Sequence, residues 1–486
     1  MALLLLAAPA LAVDVSPLRL LPVLDHGRVK PFDTVARETV RFITGYEHFG
    51  LVSTGSDGQQ EISQSMDPVA LVLDWSAQPV EWQTRPVLYV PLLALRAKLD
   101  IPETEKWVSP RAVMENAGFR DWVKDVEQRH SAADQNHETI FYNNPDDKRL
   151  EDAAISLDEQ LQLFEAATDL SLYAILPTDG PKSDNWLPLG VVMNLTGQDA
   201  DVARPITTAW TGVMTAYKQD DSAAFASAAG QFTDAIHTLV GGDYADASKL
   251  NLEVNYNLFK PFEWSAAFYF LAVMVLIAAL MSPRKIVYTA AMSVFGLAIL
   301  FHALSFAWRC RITGWAPVTN MFETVIWVAM MGAVFAFVLE LIYRQRTIAI
   351  GGAVVALLAT IVADAMPPEF GSAFKNLTPV LRSNYWLTIH VLTIVSSYAA
   401  FALALILGNI VLGQFINGKV AAATIRQNLL FIYRAVQIGV LLVAAGTILG
   451  GLWADVSWGR FWGWDPKEVG ALIALLIIMT ALHGRR

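Results

Sequence analysis

Seven apolar stretches long enough to cross a membrane lie between residues 263 and 486, at about 264–281, 286–307, 318–342, 347–364, 385–413, 430–452 and 468–483. A hydrocarbon core of ~30 Å takes roughly 20 residues of helix to cross. Within it every backbone N–H and C=O must be bonded inside the protein, which leaves helices as the form such continuous apolar runs can take. The remainder of the 486-residue chain differs in charge: residues 1–262 carry 20 Lys/Arg and 37 Asp/Glu, a net of −17, whereas residues 263–486 carry 15 and 8, a net of +7. Three parts follow. Residues 1–13 are a signal-like or truncated anchor segment, 14–262 an acidic extracytoplasmic domain and 263–486 a transmembrane domain. The expected fold class is an all-α polytopic membrane protein, with about seven transmembrane helices preceded by a mostly helical extracytoplasmic domain.

Orientation follows from the connectors. "SPRK", "YRQR", "QFINGKVAAATIRQN" and the terminal "HGRR" hold eight Lys/Arg and no acid, and alternate with connectors holding Asp364, Glu369, Asp455 and Asp465. Basic connectors stay cytoplasmic, so the second set and the acidic half are expected outside. Arg309, Arg311, Lys375, Arg382, Arg460 and Lys467 also fall in that outer set, spread over longer loops. In the acidic half, "SLDEQLQLFEAATDLSLYAIL" and "DSAAFASAAGQFTDAIHTLV" have helical spacing, the first opening on a Ser156-x-x-Glu159 capping box. "STGSDGQQEISQS" and "NNPDDKRLED" look like polar loops. The start, "MALLLLAAPALA", has the apolar run and Ala10-x-Ala12 pattern of an export signal without its basic region.

The single cysteine, Cys310, excludes an internal disulfide and any CxxC or CxxCH motif. Dithiol redox chemistry and covalent haem attachment to the chain itself are thereby excluded. No nucleic-acid partner is expected.

The densest chemical feature is "WGRFWGWDPKE", residues 458–468. With Trp453, it places four of the fifteen tryptophans within twelve residues, where the average frequency gives well under one. Asp465, Pro466 and Glu468 suit the N-cap, N1 and N3 positions of the last helix, and indoles favour the membrane interface. An interfacial belt scatters its indoles over many helix ends, however, and this cluster is local. A flat, π-rich ligand lying against Trp458, Trp462 and Trp464 accounts for it, with Arg460 and Lys467 neutralising carboxylates at the ligand's edge. Asp465 is read first as a cap and second as an organiser of the loop.

Three histidines lie in or at the ends of spans: His302, His390 and His483. Intramembrane ionisable groups are candidates for function, although a histidine can also simply bond helix to helix. His390 lies shallow, near the tryptophan loop, and together they offer what a porphyrin needs: flat walls, charge partners and an imidazole for iron. His483 is fifteen residues beyond Glu468, about 22 Å deeper along a helix. One iron cannot take both; either there are two haem positions or one of these histidines is structural. His302 is a third candidate, able to share the level of His390.

These residues resemble a known family. "WGRFWGWDPKE" is similar to the WWD signature of haem-handling cytochrome c assembly proteins. "GWAPVTNMFETVIWVAMMGAVFAFVLE", "NYWLTIHVLTIVSSYAAFALAL" and the stretch from Tyr433 to the end are similar to the CcsA (ResC) branch of the system II cytochrome c synthase, over about residues 285–486. The resemblance implies that haem b crosses the membrane as a substrate and is presented at the WWD loop, where its vinyl groups meet the thiols of an apocytochrome c CxxCH motif. It implies a cytochrome c synthase (haem lyase) component with His390 as an outer and His483 as an inner iron ligand. It also implies a bacterial-type inner membrane location, the loop facing the periplasm, and a ResB/CcsB-like membrane subunit as partner. In the family a further span and a second outer histidine follow the "LHGRR" position, so that ligand is expected from beyond Arg486 or from elsewhere. "LPVLDHGRVKPFDTVARE" resembles the outer segment of some longer homologues. The rival readings are a haem exporter or chaperone that forms no bond, and a membrane scaffold without haem.

Overall fold

The computed structural model describes residues 13–136, 140–142, 144–282, 284–366, 374, 384–418 and 420–484. The signal-like segment, apart from Val13, lies outside the described residues, as do Glu369, Lys375 and Arg382. Two compact units divide between Val254 and Asn255.

The first unit opens on a tight hairpin, β1 (Pro22–Asp25) and β2 (Arg28–Pro31). His26 and Gly27 both have positive φ, 48° and 72°, the two-residue turn whose twist matches that of the strands. Its strands carry Asp25, Arg28 and Lys30, yet the charges are partnered: Lys30 Nζ donates to Asp25 at 2.5 Å and Glu38 at 2.6 Å, and Arg28 grips Glu253 through two nitrogens at 2.6 and 2.8 Å. α1 (Phe32–Thr44) follows directly and ends at Gly45, φ +79°. Its fully buried Asp33 accepts from Arg19 and, at 2.8 Å, from Arg37. The segment "LPVLDHGRVKPFDTVARE" is therefore a hairpin and helix locked by buried ion pairs.

A second hairpin, β3 (Gly50–Thr54) and β4 (Gln60–Ser65), occupies the stretch expected to be a polar loop. β5 (Leu88–Tyr89) pairs with β6 (Trp107–Val108). β7 (Ala174–Pro177) and β8 (Trp186–Pro188) complete an antiparallel sheet in the order β2-β1-β7-β8. The longer helices of this unit are α2 (Pro68–Ala77), α3 (Ala117–Gln135), α4 (Pro145–Thr168), α5 (Gly197–Lys218) and α6 (Ser222–Val240), and α7 (Ala247–Phe259) runs across the division. The mostly helical expectation holds, and it omitted the three small sheets found among the described residues. Trp75, Trp82, Phe32, Phe49 and Phe164 anchor the core.

The capping box expected at Ser156 does not form. Asn144 and Pro145 start α4 eleven residues upstream, in the other stretch read as loop, so Ser156 sits in mid-helix.

The second unit contains the seven expected spans: α8 (Pro261–Met281), α9 (Lys285–Thr313), α10 (Met321–Tyr343), α11 (Thr347–Asp364), α12 (Asn384–Asn417), α13 (Ala422–Trp458) and α14 (Pro466–His483). Their packing relies on small residues, as in lipid, where close approach replaces the hydrophobic drive. A Cβ on Gly352 of α11 would lie 2.1 Å from Ala336 of α10, and one on Gly439 of α13 would lie 2.2 Å from Phe401 of α12. α13 is much longer than the apolar window 430–452. Its 37 residues extend about 55 Å, past both edges of a hydrocarbon core. α14, by contrast, has no buried residue.

At the start of α10, the Asn320 side chain accepts from the Glu323 amide at 2.8 Å and so caps the helix. The Glu323 carboxylate instead serves Thr319, at 2.7 Å to both N and Oγ1, and pairs with the buried Arg309.

Candidate functional site

The tryptophan cluster is divided between a helix end and a loop. α13 continues to Trp458 and is closed by Gly459 at φ +69°, whose N–H donates to the Asp455 carbonyl. Trp453 and Trp458 therefore stand on its last turns, their rings 4.6 Å apart and edge-to-face. Only Trp462 and Trp464 belong to the connecting loop; their rings lie 5.8 Å apart at 87°. Phe461 folds back over the helix, and a Cβ on Gly451 would come within 2.7 Å of its ring. Trp458 is 47% exposed and Trp464 70% exposed, a large apolar area to leave facing outward.

His390 on α12 joins this corner. Its ring lies parallel to that of Trp453, with centroids 6.2 Å apart and 9° between planes. Nδ1 is 2.8 Å from the carbonyl oxygen of Gly446. A carbonyl only accepts, so Nδ1 carries the proton and Nε2 keeps a lone pair. Metal-ligating imidazoles typically have this arrangement, the far N–H fixed by a backbone carbonyl. The helices approach closely enough for it because Gly446 and Gly450 face α12. A Cβ at 446 would be 2.8 Å from Ile394 Cβ, and one at 450 would be 2.6 Å from His390 Cε1. The sequence signal for this close packing is the G-x-x-x-G spacing of Gly446 and Gly450.

Asp465, Glu468 and Arg460 are already engaged with one another. Asp465 caps α14 by accepting from the Lys467 and Glu468 amides at 2.8 and 2.9 Å, and the reciprocal half of the capping box is present. Arg460 lies 3.5 Å from Glu468 Oε1, 4.0 Å from Asp465 Oδ2 and 5.7 Å above the Trp458 ring. Any carboxylate reaching Arg460 competes with those two. Lys467 is exposed, and its ammonium has no hydrogen bond or ion pair among the described residues. The buried Nε1 atoms of Trp453 and Trp462 and the Ser457 hydroxyl likewise have no hydrogen-bond partner there. Three unpaired donors, an exposed ammonium, flat aromatic walls and an imidazole lone pair suit a planar ligand bearing carboxylates and a metal.

His483 and His302 stand apart from this corner. His483 ends α14, fifteen residues and about 22 Å from Glu468. It is exposed, its Nδ1 is 2.9 Å from the Met479 carbonyl, and its Nε2 is therefore also a free acceptor. His302, on α9, is fully buried. Its Nδ1 is 3.1 Å from the Tyr269 hydroxyl, it stacks on Phe306 at 5.5 Å and meets the edge of Phe262, and its buried Nε2 has no partner. Among the described residues no hydrogen bond or ring contact joins it to His390 or to the loop.

Comparison with known proteins gives the family. Residues 318–486 match the model of the family described as "Cytochrome C assembly protein". Protein NrfI of Wolinella succinogenes is 25% identical over 478 residues, covering 94% of this chain and 49% of that protein, so the chain spans about half of NrfI's length. Cytochrome c biogenesis protein CcsA of Prochlorococcus marinus strain MIT 9301 is 30% identical over 216 residues, 38% of this chain and 69% of that protein. The same protein of strain MIT 9303 is 30% identical over 206 residues, covering 64% of its own length. With seven membrane-length helices among the described residues and these relatives, the chain is a multi-pass membrane protein that belongs to the CcsA-type cytochrome c biogenesis family.

Proposed function

We propose that the bundle takes haem b as its substrate, passes it from the level of His483 to the corner of His390, and presents it there for thioether attachment to the CxxCH thiols of an apocytochrome c. The observation that carries this reading is the fixed tautomer of His390. Its Nε2 lone pair is free and its ring is parallel to Trp453, beside exposed indoles. The reaction adds each S–H across a vinyl C=C, sulfur to one carbon and hydrogen to the other, and needs no oxidant. The protein's share is positioning: His390 fixes the iron, Trp458, Trp462 and Trp464 the plane, Lys467 a carboxylate, and Arg460 a second one once it leaves Glu468. Asp465 holds the loop that carries them. His302, packed against Tyr269, takes no part at this corner in the proposal. The loop and the acidic unit are proposed to face the periplasm, a reading supported by the basic connectors, and a ResB/CcsB-like subunit to complete the assembly.

The test is haem content, optical spectrum and cytochrome maturation in His390→Ala and His483→Ala, each with and without imidazole. His483→Ala is expected to lose haem before it reaches the surface. His390→Ala is expected to retain haem with an altered spectrum and no maturation, and imidazole to restore either ligand. Both variants matching the parent in spectrum and activity would sink the two-position reading. A parent that loads haem yet leaves a CxxCH peptide unconverted would favour delivery without bond formation.

A further inference from the structure

We propose that Glu468 is a positioning residue for the haem surface: one of its carboxylate oxygens clamps the backbone on both sides of Trp464 and so aims that indole outward. The inference rests on the haem reading above. Trp464 has φ +58°, a left-handed conformation that costs an L-residue about 1–2 kcal/mol and is an outlier for a bulky side chain. Such a conformation persists only where its surroundings over-determine it. Here the cause is visible. Glu468 Oε2 accepts from the Gly463 amide at 2.8 Å and from the Asp465 amide at 3.3 Å, the two N–H groups flanking Trp464.

An ordinary capping box uses the N3 carboxylate for the N-cap amide alone. The added bond to Gly463 closes a small ring of backbone around one residue, and that residue's side chain must project from it. The other carboxylate oxygen, Oε1, lies 3.5 Å from Arg460, whose guanidinium presses over Gly463 so closely that a Cβ there would lie 1.2 Å from Nη1. Glu468 thus fixes Trp464 with one oxygen and holds Arg460 with the other. A carboxylate on the substrate that draws Arg460 away leaves the clamp on Trp464 in place, because the two contacts use different oxygens.

Capping alone and clamping differ in what they predict. Hydrogen exchange over residues 459–470 of the full-length protein in detergent reads the clamp without haem. Two further amides should exchange in Glu468→Ala, while Glu468→Gln, which keeps an acceptor oxygen, should protect them. Haem occupancy reads the consequence. Glu468→Ala should lower it by as much as Trp464→Ala, about twofold to tenfold for one lost aromatic contact, and the double variant should be no worse than either single one. Unchanged exchange in Glu468→Ala overturns the clamp. Additive losses in the double variant, or normal occupancy in Glu468→Ala where Trp464→Ala loses haem, overturn the positioning role. Normal occupancy in Trp464→Ala would instead refute the haem reading beneath it, with exchange still deciding the clamp.

Discussion

Gly450→Ala is the smallest change that should disable His390 while leaving it in place. The added Cβ would stand 2.6 Å from Cε1 and 2.9 Å from Nδ1 of the imidazole. Ordinary carbon contacts begin near 3.5 Å, so the ring must retreat by roughly 1 Å. The Nδ1–Gly446 bond, now 2.8 Å, then passes beyond about 3.2 Å and is lost. A hydrogen bond of this kind contributes about 1 kcal/mol, and overpacking a helix seam adds about 1–3 kcal/mol. If about 1.4 kcal/mol of that falls on ligand orientation, haem affinity at the corner drops about tenfold. The assay is haem per chain, with the optical spectrum, in purified protein. Gly408→Ala on α12 is the control, since a Cβ there meets nothing within 4 Å, and it should be silent. Adding Gly450→Ala to His390→Ala should cost nothing more, as both act through one imidazole. Gly450→Ala with the haem content and spectrum of Gly408→Ala would refute the reasoning.

Asp33→Ala should destabilise the first unit by about 3 kcal/mol, the low end for a broken buried pair, because Arg19 keeps Asp67 and Arg37 keeps Glu47; denaturant unfolding showing a loss under about 1 kcal/mol would make the network ornamental. The β1–β2 hairpin should have a defined pH window. Burial pushes the Asp25 carboxyl up, but Lys30 and His26 more than offset this and hold it below the ordinary range, whereas burial pushes Lys30 down, and Glu38 and Asp25 more than offset that and hold it above. Asp25's contribution is thus present above its unfolded value of about 3.9 and lost as pH falls through the lowered folded value, and Lys30's is present below about 10.4 and lost as pH rises through the raised one. Exchange protection of the hairpin, corrected for intrinsic rates, should fall off at those two limits, and protection unchanged at both would contradict the pairing. A reporter active only after export, fused at the exposed bend of Asp179, should be active; activity from a cytoplasm-only reporter at the same place would overturn the proposed topology.

What could be read in the sequence divides by the range of the interaction. The seven spans were legible because lipid forces each apolar run to satisfy its own backbone. Their ends were less so. Hydropathy reports the bilayer, while helix length is set by caps, and α13 runs on through "AATIRQN" and out to Gly459, carrying Trp453 and Trp458 with it. The box at Asp465 and Glu468 was legible because its partners are three residues apart; the same logic failed at Ser156 because Asn144 and Pro145 had already started that helix. The joining of β1 to β7 was not legible, since it spans some 150 residues of chain, and the β3–β4 hairpin is local but its polar strands read as loop. At the candidate site, residue types announced themselves as an excess of indoles and as histidines in lipid. Their working state did not. Which nitrogen of His390 is protonated depends on a carbonyl 56 residues away, and the enclosure of His302 depends on Tyr269 and Phe262 of another helix. Arg460 shows the limit most plainly. Its position beside the indoles suggested a partner for the ligand, yet it is held by Glu468, a residue the local pattern assigned to capping alone. A four-residue motif read correctly as a helix start is therefore also what governs the availability of the nearest guanidinium, because one carboxylate has more lone pairs than a cap requires.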